Sequence, residues 1–215
     1  MRARLANGLV MGVLLAVSST SAKQSFPAVS VPEVHQITIG VYDYAQAGSG
    51  VLLKAERVTS GILQNASVSV VWLACSADEK APSNPGCANL VGPLKIELRI
   101  VPNTMAGRLR QKSDVFGMTA QGGEGELGCD AWVFYDQVKE AAAKTGLSLP
   151  QIFGTVIAHE LGHLLLGANS HSRTGLMRAR WARQELLAAD LGQLSFSNSE
   201  RDRIRRSMVA RREAL

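Results

Sequence analysis

The sequence predicts an α+β fold: a mixed sheet with a backing helix lies over one long apolar helix, and a C-terminal lobe of loops and helices follows. Three observations carry this expectation. Segments with two-residue alternation recur between residues 36 and 135, and a stretch at helical spacing sits between the first two of them. Residues 148–166 are apolar on nearly every face, which marks a buried helix rather than a surface one.

The first 22 residues read as a leader. Arg2 and Arg4 form a positive start, Leu5 to Val17 is an apolar stretch too short for a membrane span, and Thr20, Ser21 and Ala22 offer a small-residue cleavage site. The expected order is a signal peptide over 1–22 and one domain over 23–215, with the protein secreted or periplasmic. The alternative is an uncleaved anchor. Within the domain an upper lobe, 23–166, includes the long helix, and 167–215 forms the C-terminal lobe.

Residues 36–45 (QITIGVYDYA) alternate β-branched and aromatic residues and predict a strand. Val51, Leu52, Ala55, Val58, Ile62, Leu63 and Ala66 fall at helical spacing and predict a helix over 50–66. Strands follow at 67–74 (SVSVVWLA) and at 94–101, where Leu94, Ile96, Leu98 and Ile100 point inward and Pro102 stops the run. A short strand at 115–120 precedes the glycine-rich run 122–128. A further strand is expected at 130–135 (DAWVFY), as a candidate sheet edge where an extended peptide could add. Asp136 is placed to cap a helix that ends near Gly146, Ser148 and Pro150 open the long helix, and Gly167 ends it.

The long helix carries the chemistry. His159 and His163 are four residues apart, about 40° around a helix axis and one turn along it, so one tetrahedral Zn²⁺ can take both rings. Glu160 lies about 100° from His159, placed to reach a water at the metal rather than to bind it. On an apolar helix, two imidazoles and a carboxylate carry a desolvation cost that a metal with its water offsets. This is the H-E-x-x-H signature of zinc peptidases.

With His171 and the turn Thr174-Gly175-Leu176-Met177, residues 150–180 resemble the metzincin clan of zinc endopeptidases, whose long signature ends in a third histidine and a methionine turn. The resemblance implies that His159, His163 and His171 are ligands, Glu160 is the general base and Met177 is the turn methionine. The spacing departs from the clan pattern: Leu166 and Asn169 stand where the glycine and third histidine are expected, and the tyrosine that some members carry after the methionine is missing. A gluzincin arrangement instead takes its third ligand from a following helix, and Glu185, on the helix expected at 183–191, is that alternative. His35, the fourth histidine, reads as a packing or surface residue.

The implied activity is peptide-bond hydrolysis. Glu160 takes a proton from the attacking water and returns it to the leaving amine, while zinc acidifies that water and polarises the carbonyl. The expected partner is a peptide or protein substrate, with no nucleic acid and no stable membrane insertion, and the protein is expected to be a monomer. Alternatives are a zinc-binding protein of the same fold without catalysis, and a binder of anionic surfaces. The latter would use Arg201, Arg203, Arg205, Arg206, Arg211 and Arg212, which concentrate the chain's net charge of +5 on one terminal helix. No aromatic residue is interleaved there, so the arginines read as a solvated face. Of three cysteines, Cys75 and Cys87 bracket a segment with Pro82, Pro85 and Gly86 and are expected to be bridged. Cys129 is left free, paired otherwise or intermolecular.

Overall fold

A computed structural model describes residues 34–78, 84–107, 115–120, 128–167 and 170–215, all within one unit, Pro32–Leu215. The expected leader 1–22, most of the glycine-rich run, and Ala168 and Asn169 lie outside the described residues.

The fold is α+β. Strands β1 (His35–Asp43), β2 (Val68–Cys75), β3 (Lys95–Val101), β4 (Gly117–Ala120) and β5 (Asp130–Phe134) form one mixed sheet in the order β2-β1-β3-β5-β4. The first four in that order run parallel and β4 pairs antiparallel with β5. The candidate edge at 130–135 is therefore corrected. Strand β5 is held on both sides, and the edge is β4, whose four residues cover β5's outer flank.

Alternation sets the faces as expected. Ile96, Leu98 and Ile100 of β3 join Ile37, Ile39 and Val41 of β1 in the main core, while Glu97 and Arg99 face the other way. Arg99 pairs there with Glu97 and Asp130 and lies 5.2 Å from the Trp132 ring centre. On the same outer surface Cys75 is bonded to Cys87, at 2.00 Å. Cys129 is free and exposed.

Helices α1 (Ser49–Gln64), α3 (Tyr135–Thr145) and α4 (Leu149–Leu166) bury the core face, and a one-turn α2 (Asn103–Ala106) follows β3. Helices α1 and α4 approach closely because residue 154 is glycine: a Cβ there would lie 2.4 Å from the Ala55 carbonyl oxygen. Thr59 Oγ1 donates to the Gly154 carbonyl at 2.8 Å across the same contact. Asp136 does not cap α3 as expected, since the helix already begins at Tyr135. Its carboxylate instead accepts the Asn103 N–H at the start of α2. Among the described residues no helix is long and apolar enough to cross a membrane.

The C-terminal lobe consists of loops with α5 (Arg183–Asp190) and α6 (Asn198–Glu213). Here the solvated-face expectation fails at Arg211, while Arg203 stays exposed yet is tied to the fold. Arg211 is fully buried beside Ile204 and Met208 on the inner stripe of α6, and Arg203 donates to the Leu166 carbonyl at 2.9 Å. Arg211 donates to the carbonyls of Pro93, Gly128 and Leu164, so it ties the approaches to β3 and β5 to the last turn of α4. A helix end leaves its last carbonyls unpaired, and both arginines supply α4 with the missing donors.

Candidate metal centre

Helix α4 brings His159, Glu160 and His163 to the cleft because it is buried nearly throughout, so its polar residues have no route to bulk solvent except through that opening. The His159 and His163 Nε2 atoms lie 3.0 Å apart. The chain leaves α4 through Gly167, at φ +82° and ψ −172°, a region essentially closed to side chains bearing a Cβ. It then returns His171 to within 4.5 Å of His163 and 5.7 Å of His159, ring centre to ring centre. One ligand atom from each of the three rings falls in a group no more than 4.8 Å across. The three expected ligands therefore meet.

Each helical ring is oriented through its other nitrogen. His159 Nδ1–H donates to the Leu176 carbonyl at 2.7 Å, which leaves the lone pair of the neutral ring on Nε2. His163 Nδ1 is 2.8 Å from the hydroxyl of buried Ser170, which can accept its proton in the same way. Two Nε2 lone pairs then face one point, an arrangement that a shared cation makes favourable. Burial lowers the pKa of His159 to about 4, with the Leu176 carbonyl opposing the shift and His171 adding to it. Burial, then His159 and His171, lower that of His163 to about 3. Both rings are thus neutral at pH 7, the form that binds metal. The donor set fits a metal ion held by three imidazoles.

The turn after His171 supports this geometry twice. Leu176 supplies the carbonyl to His159, and Met177, fully buried, sets its sulfur under the helix at Gly162. A Cβ at residue 162 would lie 2.5 Å from that sulfur, so only glycine lets the turn rise to the ligands. Gly175 holds the turn at φ +80°.

Glu160 is 4% exposed and has no hydrogen-bond partner among the described residues. It lies against β4, where a Cβ on Gly117 would come within 2.6 Å of its Oε1. Burial alone pushes its pKa up to about 8, and a cation held by the imidazoles would pull it back down. The carboxylate, the three rings and β4 border one cavity of about 590 Å³.

The alternative ligand Glu185 is used elsewhere. One carboxylate oxygen accepts the Ala182 N–H at the start of α5 and the other pairs with Arg178. His35 is buried at the start of β1 and is not in the histidine group. Sequence reasoning missed Ser170 and Trp181. Ser170 carries no periodic or spacing signal. The Trp181 ring stands edge-on to His159, with centres 5.7 Å apart. No protein-family model matches the chain, and no curated protein matches it.

Proposed function

We propose that the chain is an exported, zinc-dependent endopeptidase related to the metzincins. The observation that carries this reading is the convergence of three imidazoles and a buried carboxylate, without a hydrogen-bond partner among the described residues, on a cleft walled by the outermost described strand of the sheet. Three imidazoles leave a fourth position open, the pattern of catalytic rather than structural zinc. A bound zinc supplies acidification of a water and polarisation of the scissile carbonyl.

The chain's own groups supply the rest. A peptide added along β4 runs past Gly117, whose missing side chain lets the Glu160 carboxylate lie against that strand. Glu160 takes the proton of the attacking water on a carboxylate oxygen and returns it to the nitrogen as the peptide bond breaks. Main-chain pairing at the edge holds the peptide extended whatever its sequence. The leader-like start and the Cys75–Cys87 bond support an oxidising, exported setting.

Metal analysis with a peptidase assay on an unfolded protein tests the reading. About one zinc per chain is expected, with activity lost to a chelator and restored by zinc. Glu160→Gln keeps the metal and loses turnover by about a thousandfold. His171→Ala empties the site while Glu185→Ala leaves occupancy near normal. Near-normal turnover in pure Glu160→Gln protein refutes the role of the base, and the reverse result for His171 and Glu185 moves the site to the gluzincin arrangement.

A further inference from the structure

We propose that this cleft selects acidic peptides, with Arg180 binding the carboxylate of an Asp or Glu side chain that flanks the scissile bond. This rests on the peptidase reading and names the substrate class of the same site. The two long walls of the cavity differ in kind. One is β4 with its approach, where Phe116, Gly117 and Thr119 line the cavity; the other is the irregular segment 178–181. Apart from Glu160, no lining residue among the described residues bears a carboxylate, whereas the second wall contributes two guanidinium groups.

Those two groups are not equivalent. Arg178 is tied to Glu185 and so is spent on holding the wall to the start of α5. Arg180, two residues on, is exposed and has no ion-pair partner among the described residues. Beside it, Trp181 keeps its indole Nε1 buried without an acceptor among the described residues. The wall thus carries donors and positive charge and no acceptor side chain of its own. A peptide carboxylate supplies what is missing and can meet a guanidinium through two parallel hydrogen bonds. A Lys or Arg side chain in the same place meets like charge, so the wall rejects as well as selects.

The test uses zinc-loaded wild type, Arg180→Gln and Arg180→Glu, with peptide pairs differing only as Glu or Gln at each position within two residues of the cleaved bond. The same peptides are titrated onto Glu160→Gln protein to read binding without turnover. At one position the Glu peptide is expected to show a KM about fivefold lower than its Gln twin, with kcat little changed. This preference shrinks as salt rises, vanishes in Arg180→Gln and turns towards Lys in Arg180→Glu. Equal KM values at every position, or a Glu preference that survives Arg180→Gln, overturn the assignment and leave the peptidase reading standing. If wild type cleaves neither peptide and the Glu160→Gln protein binds neither, the peptidase reading falls and takes this proposal with it.

Discussion

Two ionisable side chains are buried at the C-terminal half of α4, and they are treated in opposite ways. Arg211 reaches in from α6, has none of its surface exposed, and gives its guanidinium protons to three main-chain carbonyls at 2.6, 2.6 and 3.2 Å. Glu160 is almost as deeply buried and has no partner among the described residues. A buried charge costs several kcal/mol unless it is hydrogen-bonded. The fold meets that cost at both terminal nitrogens of Arg211 with its own backbone, leaving Nε without a partner among the described residues, and the result is a clamp. At Glu160 it leaves the cost unmet beside three imidazoles, where a cation and a substrate can answer it. Burial alone therefore does not set how a charge is treated; the supply of partners does.

The largest effect that would break this comparison is on stability. Arg211→Met is expected to destabilise the chain by about 3 kcal/mol in urea unfolding, because three buried acceptors lose charged donors. Glu160→Gln should cost no stability, since it removes a carboxyl that burial already disfavours in its charged form. A comparable loss in both variants would erase the distinction.

A smaller effect sharpens the imidazole side. Ser170→Ala removes the hydroxyl that orients His163 and is expected to weaken metal binding about tenfold in competition with a chelator. Unchanged affinity would mean that the His163 ring is held by packing alone.

The smallest effect is a pH profile of chelator-stripped protein. His159 and His163 titrate in the fold at about 4 and 3, below the ordinary 6.5, so their contribution to stability is intact above pH 6.5 and is lost as pH falls towards those values. Glu160 is shifted the other way, to about 8. Its contribution is present below the ordinary 4.5 and is lost as pH rises through 8. Tm should therefore decline on both sides in wild type, and Glu160→Gln should remove only the alkaline part of the decline. An alkaline decline that persists in the variant assigns it to another group.

Elements were legible in the sequence where period and burial agree. The alternation at 94–101 and the all-round apolar run at 149–166 appear within a residue or two of their expected bounds. The histidine triad was legible because its first two members share a helix face and glycine marks where the chain turns back. What was not legible depends on partners distant in sequence. Strand order places β4 at the edge through pairing that no local pattern encodes. Arg211 resembles its exposed neighbours in composition, although its spacing of seven from Ile204 and three from Met208 puts it on the buried stripe of α6. Asp136 looked like a cap for its own helix and instead serves one 33 residues earlier. Glycines 117, 154 and 162 carry no visible role until another element is seen pressing on them.

The contact between Gly162 and the sulfur of Met177 has a chemical consequence. A thioether is readily converted to a sulfoxide by oxidants. Here the sulfur is fully buried and closes against the helix too tightly to admit even a methyl carbon. Oxygen transfer to it requires the turn to lift away first. Once oxidised, the turn cannot settle back, and the carbonyl of Leu176 that aims His159 is displaced with it. Packing thus makes Met177 slow to oxidise, and makes the damage, once done, a lasting loss of the metal centre until a reductase removes the oxygen.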